Sequence, residues 1–561
     1  MTVEKIADLI SISSPQINTV YNVLGYTTAG DGGGGDFYWD ADDLSNDNNG
    51  TIFKSSLPSL VNGRWKRLYD GELNVRWFGA KGIKNQTSND SSAIESCIAY
   101  AKTVFSYGGK ILFPKGDYVI EKTVDITGMG SIEIKGEGAW LWPKSAITAV
   151  NLEGHKIYYI GLNISYELLN NTEINENCVA IWLHKNGTTA DNQVNNSIFE
   201  LFSIIGAHTG IKSIPATGLV WHLDFRSIYF DIYEGVSENK AIAFDIESGF
   251  GQGGSTTIKI SKCSVQSFIT NPTLANPIPK YPRRIGYRGY RLYYSTDVYI
   301  VDSSYDGYLG EKIDLNETGQ VMDIFSKNIH IDGFHCEALN NKLNANLESA
   351  PFKINSTGYL DMKNIIILDS QMNCGGPTTA GAWFLYYGGG PFNFGTYTDN
   401  GIASTDNTPV YILSLCNQLD GHDVTNSRPQ INFNNAVKSS QVHLLNRNYN
   451  SVHFDSLEVN GLVTSINTTS PTTILNVAST RCSMLLAVRG FSQIDGGAYF
   501  IDYVLISRSR NNYVKVKSMI SDSNNYTGVV NTYIVAANGD IQLARNISTG
   551  FWVTAKVVNM I

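Results

Sequence analysis

Four stretches decide the fold: Thr257-Ile258-Lys259-Ile260-Ser261, Asp297-Val298-Tyr299-Ile300-Val301, Asn328-Ile329-His330-Ile331-Asp332 and Asn364-Ile365-Ile366-Ile367-Leu368. Trp221-His222-Leu223-Asp224-Phe225 is a further stretch of the same kind. The pattern the four share is polar, apolar, any, apolar, with a polar fifth residue in 257–261 and 328–332. The four begin 31 to 40 residues apart. Such alternation sends one side chain into a core and the next to solvent. One strand per repeat with variable insertions marks a β-solenoid rather than a propeller. From about 120 to 460 almost no helical periodicity interrupts it.

Working outward, a helix is expected over about 89–105, with Asn89 or Asp90 as its cap. Ile94, Cys97, Ile98 and Ala101 fall on one face of it. Its expected task is to cover the open end of the sheet. Residues 1–75 read as a short N-terminal neck and 76–464 as the solenoid with its capping helix. Residues 465–561 carry evenly spaced strands with turns such as Asn538-Gly539, and read as an antiparallel β-sandwich. The neck holds Gly30-Asp31-Gly32-Gly33-Gly34-Gly35-Asp36-Phe37-Tyr38-Trp39-Asp40. That run lacks the spacing of a phosphate-binding loop, and no apolar helix follows it, so it reads as a hairpin loop.

The 561-residue length exceeds what one compact core fills. Charged residues are 17%, against about 25% in ordinary domains, which argues against a coiled coil or a charged disordered chain. The net charge of −9 excludes a general nucleic-acid binder. Seven widely spaced cysteines without a CxxC read as buried thiols, not as a disulfide framework or zinc site. No metal or cofactor is expected, because no His, Asp or Glu cluster has ligand spacing. No apolar run is long enough for a membrane span. The first 15 residues show no ordinary secretory signal, which implies synthesis in a cytoplasm.

Specific motifs add to this. They are the 30–40 run, Gly63-Arg64-Trp65-Lys66-Arg67-Leu68, Val75-Arg76-Trp77-Phe78-Gly79-Ala80-Lys81-Gly82 and the strand–turn–strand of 108–120. Together they resemble the opening of phage tailspikes, specifically capsule-degrading depolymerases of the pectate-lyase-like type from phages of encapsulated bacteria such as Acinetobacter. The C-terminal strands are similar to the terminal domain of such spikes. The family often carries Gly-Asp-Gly-x-x-Asp-Asp after Trp-Phe-Gly-Ala. Here that stretch is Gly82-Ile83-Lys84-Asn85-Gln86-Thr87-Ser88-Asn89-Asp90, which we read as structural. The resemblance implies an all-β chain with a right-handed parallel β-helix, a homotrimer, and cleavage of bacterial capsular polysaccharide. It also implies a virion tail location after synthesis in the host cytoplasm, with attachment to the tail or baseplate through an N-terminal region. It implies no nucleic-acid or membrane partner.

Glycoside hydrolysis needs two carboxylates, about 5–5.5 Å apart for retention or 6.5–9.5 Å for inversion. Neighbouring strands lie about 4.8 Å apart, so outward acids on adjacent coils can supply them. Aligning the repeats on Ile258, Val298, Ile329 and Ile365 and moving eight residues on gives Gln266, Asp306, Glu337 and Asn373. Asp306 and Glu337 are therefore the expected catalytic pair. Glu337 is the expected acid, since Phe334 and His335 make its surroundings less wet. His335 shares its face as an acid/base or sugar hydrogen-bonder. Asp302, Asp332, Asp231 and Glu234 are further candidates, the first two also suiting turn caps. For substrate binding, 271–294 reads as an insertion loop with Arg283, Arg284, Arg288 and Arg291 among Tyr287, Tyr290 and Tyr294. Arginine offers a planar fork to a sugar carboxylate. An inter-subunit contact is the alternative use of this cluster. A second aromatic loop, 383–397, brings Trp383 and Tyr386.

Two competing functions stand beside a glycosidase. One is a polysaccharide lyase, with His335 or a tyrosine as base and Arg288 or Arg291 neutralising the carboxylate. The other is a polysaccharide-binding spike or adhesin without turnover.

Overall fold

The computed structural model describes 1–183 save 86, 106–107 and 171, then 193–213, 220–232, 241–247, 256–267, 288–307, 320–337, 340–341 and 350–368. Beyond 368 it describes strand backbones and the side chains of 383–386 and Leu543. Two compact units emerge: Met1–Ser295 with Ser303–Tyr305, and Thr296–Asp302 with Asp306–Ile561.

The first unit opens on a small sheet of Thr2–Lys5, Val20–Gly25, Gly35–Asp40, Arg64–Arg67 and Ile52–Phe53, in that spatial order. Alternation along Val20–Gly25 buries Tyr21 and Val23 with Ile6, Leu9, Phe37, Trp39, Phe53 and Trp65. The glycine run is the hairpin loop its spacing predicts. Asp31 accepts backbone N–H bonds from Tyr26 and Gly33 at 2.8 Å, Thr27 at 2.7 Å and Thr28 at 3.0 Å. The loop's own carboxylate thus takes the donors that an anion would need. Burial opposes its charge, but these donors outweigh burial and lower its pKa. Arg76, from the Val75–Phe78 turn, donates to the carbonyls of Asp31 at 2.9 Å and Lys115 at 2.7 Å. It fastens the small sheet to the first coil.

The helix is Ser91–Val104, and Ile94, Cys97, Ile98 and Ala101 are its buried face. That face packs on Gly109–Phe113 and Val124–Thr127. Asp90 is the N-cap residue, but its carboxylate turns back to accept from the N–H of Lys81 at 2.7 Å and of Gly82 at 3.3 Å. Asn89, one residue earlier, accepts from Ser91 N–H at 2.9 Å in a local turn that leads into the helix. The 82–90 loop is therefore held by its own polar side chains.

Beyond the helix, parallel strands stack coil upon coil on three faces. In the first unit Val194–Glu200, Val220–Arg226 and Thr257–Ser261 form the first face. Ser203–Ala207, Tyr229–Ile232 and Ser264–Ser267 form the second. Val179–Leu183, Thr209–Ser213, Ile242–Glu247 and Arg288–Tyr293 form the third. The second unit repeats the scheme. Asp297–Val301, then the end of Gln320–Asp332, then the end of Phe352–Lys363 make its first face. His335–Glu337 and Ile365–Leu368 pair on its second. This is a parallel β-helix.

The corner between first and second faces has a backbone signature. Leu201, Ser227 and Lys262 in the first unit, and Asp302, Gly333 and Asn364 in the second, all have positive φ, from 47° to 70°. The Leu201, Ser227, Asp302 and Gly333 N–H groups each donate to a carbonyl of the following coil. A Cβ on Gly333 would lie 2.6 Å from Asp302 Oδ1, so a larger residue there would push that carboxylate aside.

One alignment needs correcting. Val298 pairs with Ile329 as expected, but Ile329 pairs with Leu360, while Ile366 pairs with His335. The 364–368 repeat thus belongs to the second face, one corner further on. The residue in register with Glu337 is Leu368, not Asn373. Strands on either side of the corner share one period, so alternation alone cannot tell the faces apart.

At the C-terminus Ser483–Ser492 pairs antiparallel with Tyr499–Arg508 and Phe551–Met560, and Tyr499–Arg508 pairs with Val514–Asn524. Asn531–Val535 and Ile541–Arg545 pair as an antiparallel hairpin.

Candidate active site

Past the corner, side chains alternate strictly. In the second unit Phe334 and Cys336 are buried, His335 is half-buried between them, and Glu337 is exposed. Asp306 follows buried Tyr305, and the Asp306 side chain is 17% exposed. His335 Nδ1 and Asp306 Oδ1 lie 3.6 Å apart. At 3.6 Å this is a charge contact, longer than a hydrogen bond. The structure thus sets His335 against Asp306 on neighbouring strands, with Glu337 two residues further along the outward side of the His335 strand.

The other acids are placed differently. Asp231 pairs in register with Gln266, whose Oε1 accepts from the Tyr229 hydroxyl at 2.6 Å. Burial, and then the Asp231 carboxylate, raise the pKa of that tyrosine. Asp302 is a positive-φ corner residue whose N–H donates to the Asp332 carbonyl at 2.9 Å. Asp332 accepts from Asn364 Nδ2 at 2.8 Å and meets Lys363 Nζ at 3.3 Å. Asp302 is thus a turn residue of the corner, while Asp332 ends the strand before it. Glu234 lies outside the described residues.

The substrate-binding expectations need several corrections. Arg288–Tyr293 is a strand of the third face, not part of an insertion loop. Tyr290 is buried, stacked on Phe244 at 5.4 Å, with its hydroxyl donating to the Ser304 carbonyl at 3.0 Å. It belongs to the core and offers no face to a sugar. Arg291 is engaged by Asp245 at 2.6 Å and by Glu247, and lies over the Tyr293 ring at 4.3 Å. Burial works against its charge, but the two carboxylates outweigh burial and raise its pKa. Its fork is already filled. Tyr294 is half-buried at φ 62°, with its ring 5.8 Å from that of Tyr293. Trp383 and Tyr386 lie on the strand Gly381–Tyr386, not on a loop. Trp383, Phe384, Leu385 and Tyr386 are all buried, so neither aromatic can wall a groove. Phe384 stacks on Phe352 at 4.5 Å, and Tyr386 donates to the Ser356 carbonyl at 3.3 Å. Arg283, Arg284 and Tyr287 lie outside the described residues, as does the Arg288 side chain.

One cluster escaped sequence reading. His330 Nδ1 lies 3.0 Å from Asp361 Oδ2, and the Tyr299 and His330 rings are 5.9 Å apart. The signal was the "any" position of the repeat, which points outward on every coil. Among the described residues no group of three or more His, Cys, Asp or Glu side chains is placed to hold a metal ion.

Among solved structures the chain is similar to the tailspike protein of Acinetobacter phage vB_ApiP_P1. That match has 13% identity and a TM-score of 0.42, covering 100% of this chain and 98% of that one. The tailspike of Acinetobacter baumannii bacteriophage Fri1, a capsular polysaccharide depolymerase, gives 12% identity and a TM-score of 0.40, over 99% of this chain and 97% of that one. WceF of Pantoea stewartii, a glycan biofilm modifying enzyme, gives 11% and 0.40, over 99% of this chain and 71% of that one. Residues 2–70, the small N-terminal sheet, match the family model described as the phage tail protein small four-stranded beta-sheet domain.

Proposed function

We propose that this protein is a phage tail spike that cleaves bacterial capsular polysaccharide by endo-glycosidase chemistry, acting as a homotrimer at the host surface. Asp306 and Glu337 are the carboxylate pair, one as general acid and the other as base or nucleophile. His335 orients Asp306 or hydrogen-bonds a sugar hydroxyl. The observation that carries this reading is the outward Asp306–His335 contact at 3.6 Å with Glu337 beside it. It stands on a parallel β-helix preceded by a domain that matches a phage tail family.

The same contact favours a second reading. A half-buried imidazole beside a carboxylate is a candidate base for abstracting the proton next to a uronate, so His335 would serve a lyase. One assay separates the readings. Purified capsular polysaccharides from a panel of encapsulated strains are incubated with the protein, and reducing ends and absorbance near 235 nm are followed. Reducing ends without absorbance support hydrolysis. Reducing ends with absorbance support elimination, since only that step creates a conjugated double bond. Binding with neither signal makes the protein an adhesin and overturns the enzymatic reading.

A further inference from the structure

We infer that Tyr299, His330, Asp361 and Tyr359 form a second polysaccharide-binding platform, on the first face of the second unit. It lies around the corner from Asp306 and His335. The inference rests on the proposed polysaccharide reading and adds a site to it.

Three successive strands build the platform. Tyr299 is in register with His330, and His330 with Asp361. Val298, Ile300, Ile329, Ile331, Leu360 and Met362 are buried. Their alternates therefore line one outward column. Tyr359 stands two residues before Asp361, in register with Asn328. Tyr299 is 40% exposed and Tyr359 45%, the two aromatics among the exposed large hydrophobics of the described residues.

Between the rings lies a pair with different chemistry. The His330 side chain is 28% exposed and that of Asp361 only 12%, with Nδ1 and Oδ2 3.0 Å apart. The carboxylate assigns the proton to Nδ1, which leaves Nε2 to accept from an outside hydroxyl. Other polar pairs at these strands are the amide-to-carboxylate contacts of Asn328 to Asp297 and Asn364 to Asp332, each at 2.8 Å, and the Lys363–Asp332 ion pair at 3.3 Å. They brace the coils. His330 bridges coils through Asp361 as well, yet its side chain stays 28% exposed beside the exposed Tyr299 ring. Flat rings take the C–H faces of sugars, and an oriented nitrogen takes a hydroxyl. Three strands span about 10 Å, room for two linked sugars. A chain on this platform and a chain at Asp306 are separated only by the corner of Asp302, Gly333 and Asn364. A long polymer can touch both, and a short fragment cannot.

The test uses the full-length protein and the capsular polysaccharide on which it is most active. Tyr299→Ala, Tyr359→Ala and His330→Ala are compared with wild type on polymer and on its shortest cleavable oligosaccharide. We expect KM for polymer to rise about tenfold in each, from lost ring or hydroxyl contacts. The kcat value, the melting temperature and the kinetics on the oligosaccharide stay as in wild type. Tyr299→Phe, which keeps the ring, stays within twofold. If His330→Ala lowers the melting temperature, the exposed Tyr299→Ala decides. Polymer KM within twofold of wild type in all three overturns the platform and leaves the proposed function standing. A fall in kcat at unchanged KM also overturns it. Wild-type protein that neither binds nor cleaves any polysaccharide overturns both.

Discussion

Two outward clusters of charge use the same scaffold to opposite ends. On the third face of the first unit, Lys212 lies over Trp182 at 4.7 Å, and Asp245 and Glu247 close on Arg291. Each of these two cations has its ring or its carboxylates. On the second face of the second unit, Asp306, His335 and Glu337 bring two acids and an imidazole together instead. The first arrangement satisfies its charges internally and holds coils in register. The second concentrates acid and base functions on outward positions. On the proposed function, what separates structure from chemistry on this β-helix is therefore how an outward residue is paired with its neighbours, not its type.

Breaking the closed cluster should have the largest effect on stability. Arg291→Met leaves Asp245 and Glu247 facing each other without a counter-charge. Removing one partner of a partly buried pair costs roughly 2–3 kcal/mol here, since Arg291 is 20% exposed. Chemical denaturation should show that loss. A stability equal to wild type would mean that the cluster is solvated and idle.

Only part of this was legible in the sequence. Period-two alternation gives the buried columns, and helical spacing gives Ile94, Cys97, Ile98 and Ala101. Neither carries the third dimension. Ile365 shares its pattern with Ile329 because every face of a coil alternates alike, so the face of the 364–368 strand was misread. Tyr290, Trp383 and Tyr386 look like a sugar-binding wall because aromatics beside glycine and proline suggest loops. Inside a β-helix, however, rings stack along the core from coil to coil, as Phe244 on Tyr290 and Phe352 on Phe384 do. Asp306 and His335 could be found because their strands run on from the repeat in one register. Asp361 could not, because its strand carries no recognisable copy of the repeat.

The corner offers a smaller and sharper test, because its residues serve shape alone. Leu201 holds φ 60° and is 59% exposed. Leu201→Gly relieves the left-handed strain but adds chain entropy, for a net gain of roughly 0.5 kcal/mol. At the adjacent coil Gly161 holds φ 68°, and a Cβ there would lie 2.4 Å from the Gly136 carbonyl oxygen. Gly161→Ala should therefore destabilise by at least about 1 kcal/mol. Thermal melts of the two variants should move in opposite directions. Movement in the same direction would break the assignment of the corner to backbone geometry.

The central claim is that Asp306 and Glu337 carry the reaction. Its most direct test is the rate of reducing-end release by Asp306→Asn and Glu337→Gln, with polysaccharide binding and assembly measured on the same preparations. Each amide keeps the shape and removes the proton chemistry. Each variant should lose at least about a hundredfold in rate while binding and assembling as wild type does. Near wild-type cleavage by both variants would contradict the account, and attention would move to Asp231.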